Sequence, residues 1–275
     1  MTSFVAAFHW NHDGLVFDLG FYALRWYSLM WLGGFLIGLR MFHGFCRREG
    51  RPADKLDDLL LVTLAGAMVG ARMGHAFFYR RAHYLENPLE IFMIWRGGLA
   101  SHGGMIGILV AVWLWSRWQP DFGYLWTIDR IAIPTALAGA MIRVGNFFNS
   151  EILGRASDLP WAVVFERAAV EQVPRHPVML YEAAAYLLIF GALWLAYRRW
   201  TPGETPGRLL GLFLTLVFSA RFALEPLKLR QAAFAQDWTL SVGQWLSIVP
   251  VLVGCVLLFR GAGKPTAPAA VSSKG

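Results

Sequence analysis

Two runs of the sequence contain no aspartate, glutamate, lysine or arginine: GGLASHGGMIGILVAVWLWS, residues 97–116, and WTLSVGQWLSIVPVLVGCVLLF, residues 238–259. A helix needs about 20 mainly apolar residues to cross the hydrocarbon core of a bilayer, and each run is long enough. A helix also satisfies its own backbone hydrogen bonds, for which the bilayer interior offers no partners. The two runs therefore predict transmembrane α-helices.

Composition extends this interpretation to the whole chain of 275 residues. Hydrophobic residues make up 56% of the chain and charged residues only 16%, with a mean hydropathy of +0.45. Soluble domains carry about 25% charged residues, and a disordered chain would have far less apolar content. We predict an all-α, polytopic integral membrane protein with about seven transmembrane helices, at residues 22–41, 57–79, 99–116, 131–149, 180–197, 209–226 and 239–259.

The basic residues of the loops predict the orientation, because cytoplasmic loops are enriched in lysine and arginine. The strongest signal is CRREGRPADK, residues 46–55, after the first predicted helix. It places the N-terminus outside and the C-terminus in the cytoplasm. We then expect one transmembrane domain over residues 1–262, with a small external cap at 149–179, and a disordered cytoplasmic tail at 263–275.

Charge and cysteine content narrow the possible partners. The net charge of +7 suits contact with anionic membrane lipids, whereas no basic run is long enough to indicate nucleic-acid binding. The two cysteines, Cys46 and Cys255, form neither a disulfide framework nor a metal-ligand cluster. We expect no metal and no cofactor.

Four arginines lie within the predicted helices: Arg25, Arg72, Arg143 and Arg221. An arginine at the centre of a membrane helix costs about 2.5–3.5 kcal/mol on insertion scales, unless it meets a partner or a wet cavity. In the predicted orientation all four lie toward the outer leaflet. One explanation is local pairing, for example of Arg221 with Glu225 at i,i+4. The other is a bound anion, since guanidinium matches phosphate bidentately, and the shortage of acids in the helices favours it.

The densest polar cluster is RVGNFFNSEILG, residues 143–154, at the end of the fourth predicted helix. It combines an arginine, two asparagines and a glutamate, which exceeds what a helix cap requires. A second polar position is His102, which lies among small residues in SHGGMIG, residues 101–107. Histidine titrates near neutral pH, so His102 is either a proton-transfer group or a hydrogen-bonding residue between helices.

These segments together resemble the bacterial phosphatidylglycerol–prolipoprotein diacylglyceryl transferases, from about Tyr22 to Phe259. RVGNFFNSEILG is similar to the family signature at every fixed position. Weaker similarities occur in the family order: YALRWYSLMW at 22–31, ARMGHAFFY at 71–79, SHGGMIG at 101–107, RHPVMLYE at 175–182 and RFALEPLK at 221–228.

The resemblance implies an enzyme of the bacterial inner membrane. It would transfer the diacylglyceryl group of phosphatidylglycerol to the lipobox cysteine of a preprolipoprotein, forming a thioether and releasing glycerol phosphate. The active site would face the outer leaflet, within a catalytic domain of residues 1–262. Its partners would be phosphatidylglycerol, the lipobox segment and membrane lipids.

The resemblance also implies roles for residues. His102, Arg143 and Arg221 would be catalytic, with His102 as the base for the thiol proton and the two arginines as clamps on the phosphate. The field of the arginines, with water taking the proton, is the alternative to a histidine base. Glu225 would orient Arg221. The substrate-binding residues would be Tyr22, Arg72, Arg143, Asn146, Glu151, Gly154 and Glu225.

When the family resemblance is set aside, the residues also allow a second class of protein. This class is a transporter or channel that binds an organic anion with outward-facing arginines. Transporters often contain internal repeats and bind their substrate near the bilayer midplane. This sequence has no evident repeat, and its polar cluster lies toward one face of the membrane. Release of glycerol phosphate would separate the two classes, because a transporter leaves the lipid intact.

Overall fold

The computed structural model describes residues 8–20, 23–94, 97–200, 205–229 and 239–260. The prediction of a mostly helical protein is confirmed. Its helices are α1 Trp26–Arg48, α2 Leu56–Phe78, α3 Arg81–Glu86, α4 Ser101–Trp118, α5 Tyr124–Phe148, α6 Val178–Arg199, α7 Arg208–Leu224 and α8 Val242–Arg260. The chain divides into two compact units, Met1–Gly38 with Ala132–Gly275 and Leu39–Ile131.

Six of these helices are long and apolar enough to cross a membrane, namely α1, α2, α5, α6, the α7 segment Arg208–Leu227, and α8. The protein is therefore a multi-pass membrane protein. The predicted span at 99–116 forms α4, which has 18 residues and is about 27 Å long at 1.5 Å per residue. It is not among the six, so the count of seven stays a prediction. The predicted tail at 263–275 lies outside the described residues.

In the unit Leu39–Ile131, helices α2 and α4 pack through glycines. A Cβ atom on Gly70 would overlap the carbonyl oxygen of Gly103, and one on Gly107 would overlap that of Gly66. Small residues at such spacings let two membrane helices approach backbone to backbone, where van der Waals contact replaces the missing hydrophobic driving force. This contact fixes the start of α4, which carries His102.

A buried ion pair closes the other end of the same unit. Arg130 donates from Nη2 and Nε to the two carboxylate oxygens of Glu49, at 2.8 and 3.1 Å. Trp126 Nε1 donates to Glu49 at 2.6 Å, and the guanidinium of Arg51 lies 4.2 Å from the centre of the Trp126 ring. The loop after α1 is thereby tied to α5 within this unit.

The other unit contains short strands that the all-α prediction lacked. Strand β1, Phe8–Trp10, pairs in parallel with β4, Val163–Phe165, and β2, Leu15–Asp18, pairs antiparallel with β3, Ala23–Arg25. Strand β4 lies in the predicted cap segment. That segment has its own apolar core, built by Leu153, Val163, Phe165 and Met179 with Trp10 packed against them.

Candidate active site

The loop that follows α5 is built around the carboxylate of Glu151. Asn146 Nδ2 donates to one of its oxygens at 2.8 Å, and Asn149 Nδ2 donates to the other at 3.2 Å. The backbone N–H of Glu151 donates to the carbonyl of Asn146 at 3.0 Å. Two amides at the helix end therefore hold an exposed carboxylate in one orientation.

The backbone on both sides of Glu151 is strained. Ser150 and Ile152 have φ angles of 54° and 58°, in the left-handed region that side chains other than glycine rarely adopt. Ile152 is β-branched, for which this conformation is a marked outlier. Such residues cost about 1–3 kcal/mol each and cluster at functional sites. The strain supports a functional use of the Glu151 loop.

Arg143 links this loop to helix α6. Its Nη1 donates to Asn146 Oδ1 at 3.1 Å, and its Nε lies 2.9 Å from Glu182 Oε2. The side chain of Arg143 is 15% exposed, whereas that of Glu182 is fully buried. The guanidinium thus contacts two side chains from different helices, Asn146 of α5 and Glu182 of α6.

Beyond Glu182 the polar chain continues to the end of α7. Lys228 Nζ lies 2.7 Å from Glu182 Oε1 and donates to Glu225 Oε2 at 3.0 Å. The expected pair between Arg221 and Glu225 is not formed, because Glu225 faces Lys228 instead. Glu182 and Lys228 were not predicted as site residues. The signal available was their place at the ends of RHPVMLYE and RFALEPLK.

Arg221 lies near the end of α7, one turn before Glu225. No carboxylate of the described ranges lies within 4 Å of its guanidinium. Glu225 in turn belongs to the polar chain that leads through Lys228 and Glu182 to Arg143. The structure therefore brings these two predicted clamps to one polar region, and it leaves Arg221 without the acid that the sequence assigned to it.

Gly154 supports the site by close packing. A Cβ atom there would overlap the carbonyl oxygen of His176 and lie 2.8 Å from Val178 Cγ2. The backbone of Gly154 forms a bridge with that of Lys228. Any larger residue would push the Glu151 loop away from the start of α6, which explains a glycine at this position without a contact to substrate.

The comparison with known proteins identifies the family of the chain. The sequence profile of the prolipoprotein diacylglyceryl transferases matches residues 14–260. The chain belongs to that family. The resemblance inferred from the motifs is thereby confirmed.

Similar family members come from several bacteria. The phosphatidylglycerol–prolipoprotein diacylglyceryl transferase of Tolumonas auensis is 49% identical, over 92% of this chain and 97% of the relative. The protein of the same name from Chloroherpeton thalassium is 48% identical, over 91% and 93%. That from Porphyromonas gingivalis is 40% identical, over 93% and 95%.

Arg72, a further residue implied by the resemblance to the diacylglyceryl transferases, is buried in the unit Leu39–Ile131. An arginine has five N–H donors, and those of Arg72 meet five backbone carbonyls. Nε donates to the carbonyl of Ile91 at 2.8 Å. Nη1 donates to the carbonyls of Gly97 at 2.5 Å and Gly98 at 3.3 Å. Nη2 donates to the carbonyls of Met93 at 3.2 Å and Glu90. The side chain therefore organises a loop, and its donors are not available to a lipid headgroup.

Two other residues implied by the family are His102 and Tyr22. His102 is in the first turn of α4 with an exposed side chain, just after the loop that Arg72 holds. In this loop the backbone N–H of Ala100 donates to the carbonyl of Ala71 at 2.9 Å. This hydrogen bond and those of Arg72 together hold the start of α4. Tyr22 lies outside the described residues. Within the described ranges, no three His, Cys, Asp or Glu side chains are grouped as metal ligands.

Proposed function

We propose that this protein transfers the diacylglyceryl group of phosphatidylglycerol to the lipobox cysteine of preprolipoproteins. The sequence relationship to enzymes of that name supports the reaction. The structural observation that carries the proposal is the charged chain from Arg143 through Glu182 and Lys228 to the end of α7, where Arg221 lies, with a strained carboxylate loop beside it. Cations at a helix end in a membrane protein suit a lipid phosphate.

The reaction requires charge stabilisation at the phosphate. The cysteine sulfur forms a bond to the terminal glycerol carbon of the diacylglyceryl group, and the bond from that carbon to the phosphate oxygen breaks. Glycerol phosphate leaves with the electron pair of that bond. Preorganised cations stabilise the charge that develops on the leaving oxygen. In our proposal Arg143 and Arg221 are the catalytic residues that do so.

The headgroup site would be formed by the loop after α5. Phosphatidylglycerol carries a glycerol with free hydroxyl groups, and amide and carboxylate oxygens accept hydrogen bonds from hydroxyls. Asn146 and Glu151 provide such groups, while Gly154 holds the loop against α6. Glu225 contributes through Lys228, in place of the Arg221 contact that the sequence suggested.

The thiol proton also needs an acceptor, since the thiolate is the nucleophile. We propose His102 as the base, because its side chain is exposed at the start of α4 and imidazole titrates near neutral pH. The alternative is a water molecule that takes the proton while the arginines stabilise the thiolate. A pH profile distinguishes them.

The membrane context follows from the loop charges. We propose that the protein spans the bacterial inner membrane with its N-terminus outside and its C-terminus in the cytoplasm. The ends of α5 and α7 with Arg143 and Arg221 then face the outer leaflet, where the lipobox segment of an exported preprolipoprotein arrives. Residues 149–179 form the external cap of one catalytic transmembrane domain over 1–262, and membrane lipids surround its helices.

The test uses purified protein in detergent with phosphatidylglycerol and a lipobox peptide. Mass spectrometry detects the thioether, and an enzymatic assay detects released glycerol phosphate. We expect both products in equal amounts. An intact lipid with the wild-type protein would contradict the proposal and favour anion transport. Full activity of the variant carrying both Arg143→Ala and Arg221→Lys would contradict the phosphate clamps.

His102 is tested separately by His102→Gln across about pH 6 to 9, where a histidine base titrates. We expect a large loss of activity and a loss of the histidine limb of the pH profile. An unchanged rate across that range would remove His102 as the base and leave the clamps in place.

A further inference from the structure

Glu182 is the most deeply buried charged group of the site. Its side chain is fully buried, and its two oxygens face different cations, Oε2 facing Arg143 Nε and Oε1 facing Lys228 Nζ. A buried carboxylate is costly unless it is paired. Two cations therefore offset the charge of one acid, at 2.9 and 2.7 Å, while neither carboxylate oxygen of Glu182 accepts a hydrogen bond of regular geometry from the described part of the chain.

The contacts of Arg143 define the plane of its guanidinium. Glu182 binds it at Nε at 2.9 Å, and Asn146 binds it at Nη1 at 3.1 Å. These partners lie on different helices, α6 and α5. A planar fork held at two edges has little freedom to rotate, so Glu182 and Asn146 together determine the direction in which Arg143 presents its charge.

Lys228 connects this pair to the end of α7. Its Nζ binds both Glu182 and Glu225, and only 8% of the residue is exposed. The backbone around it is tied to the Glu151 loop, since Leu229 N donates to the carbonyl of Leu153 at 3.0 Å. Arg143, Glu182, Lys228 and Glu225 thus form an alternating row of charges that spans α5, α6 and the turn after α7.

We propose that Glu182 is a positioning residue for the transfer reaction, which holds Arg143 in the orientation needed at the leaving phosphate, and that Lys228 keeps Glu182 in place. This inference rests on the proposed function. The Glu182 side chain is fully buried, so in this proposal it acts through Arg143. Within the row, Glu182 and Lys228 contribute geometry, whereas Arg143 and Arg221 contribute the charge that faces the phosphate.

The first test is Glu182→Gln, which keeps the shape of the side chain and removes its charge. We expect kcat to fall by about 10- to 100-fold while KM for phosphatidylglycerol changes by less than about threefold, since misorientation affects the transition state more than the ground state. The matched control is Glu49→Gln, which breaks another buried Glu–Arg pair, that with Arg130, away from the proposed machinery. Its kcat per folded molecule should match that of the wild type.

The second test covers the case in which Glu182→Gln does not fold. Lys228→Met removes the charge that holds Glu182 and should lower kcat by about 3- to 10-fold, whereas Lys228→Arg restores a cation and should recover most of the rate. Thermal unfolding of each purified variant in detergent separates loss of rate from loss of folded protein.

Three results would overturn the inference. One is a kcat of Glu182→Gln within about twofold of the wild type. Another is a loss of kcat in Glu49→Gln equal to that in Glu182→Gln, which would make the effect one of general stability. The third is equal rates for Lys228→Met and Lys228→Arg. Failure of the proposed function is distinct, because the wild-type protein itself would then form no thioether.

Discussion

Arg72 and Arg143 both lie in predicted membrane helices, yet their guanidinium groups have different kinds of hydrogen-bond and ion-pair partners. All five N–H donors of Arg72 end on backbone carbonyls, and the residue is 4% exposed. Arg143 is bound by a carboxylate and an amide, and its side chain is 15% exposed. The acceptors, more than the depth of burial, distinguish the two.

Carbonyl acceptors belong to the backbone, so Arg72 stabilises the path of one loop and has no donor left for a ligand. Side-chain acceptors can be shared, and a charged network can also accommodate an incoming anion. Of the two, the arginine with side-chain partners is the one that we propose at the lipid site. Substitutions that separate stability from activity test this difference between the two arginines.

The largest effect is expected for Arg143→Lys. A lysine ammonium has no planar fork, so it cannot meet Glu182 and Asn146 from two edges and still face a phosphate. We expect transfer activity to fall by about 100-fold or more, as for loss of a main electrostatic stabiliser, with little change in the unfolding temperature. Initial rates of thioether formation and thermal unfolding in detergent measure both quantities. Activity near that of the wild type would place Arg143 with Arg72 as a structural residue.

The converse result is expected for Arg72→Lys. Lysine has three donors, so at least two of the five carbonyls lose their partner, at about 1–3 kcal/mol for each buried group. We expect a clear fall in the unfolding temperature and a smaller loss of activity per folded molecule than in Arg143→Lys. Arg80→Lys, at an exposed position after α2, is the control and should unfold like the wild type. A stable but inactive Arg72→Lys protein would contradict the assignment of Arg72 to stability.

Gly70→Ala tests whether the Arg72 region depends on packing. The added methyl group would overlap the carbonyl oxygen of Gly103 and lie 2.7 Å from Gly107 Cα, which forces α2 and α4 apart. Overpacking of this kind costs about 1–3 kcal/mol, measured as a lower unfolding temperature. Gly44→Ala, on α1 with open space around it, should be neutral or stabilising. Equal behaviour of the two variants would contradict the close helix contact.

The smallest effect, on the unfolding temperature, is expected for Asp13→Asn. Among the described residues, Asp13 is a hydrogen-bond or ion-pair partner of neither Arg72 nor Arg143. The backbone N–H of Leu15 donates to the Asp13 carboxylate at 2.9 Å, and this hydrogen bond lowers the pKa of Asp13 below its ordinary value of 3.8. The stabilising effect of the charged form is therefore present above pH 3.8 and is lost as pH falls through the lowered pKa. A small difference in unfolding temperature between wild type and variant should shrink in acid. A difference that grows on acidification would contradict this assignment.

The helices were predictable because their apolar runs are long, and each predicted span has a helix at its position. The strands were not, because β1 and β4 are three residues long and pair across a wide separation in the chain. No local pattern of so few residues distinguishes a strand from a loop.

The site was predicted in part. RVGNFFNSEILG identified Arg143, Asn146 and Glu151, which the structure places in one network. The partner of Glu225 was missed, because the 3₁₀ turn Glu225–Leu227 places Lys228 beside it where an α-helical spacing suggested Arg221. The carbonyl partners of Arg72 were not predicted, because every residue carries a carbonyl and the sequence does not mark the ones that are used.

The parallel pairing of β1 with β4 has a consequence for biosynthesis. Phe8–Trp10 is translated long before Val163–Phe165, and the chain between them must first pass through five of the eight helices. Because long-range contacts form slowly, the N-terminal strand can pair only after the chain through Phe165 has been made. His9 then meets Glu166 and Asn11 meets Arg167, each at 2.8 Å, so this pairing marks a chain whose first five helices have already been made.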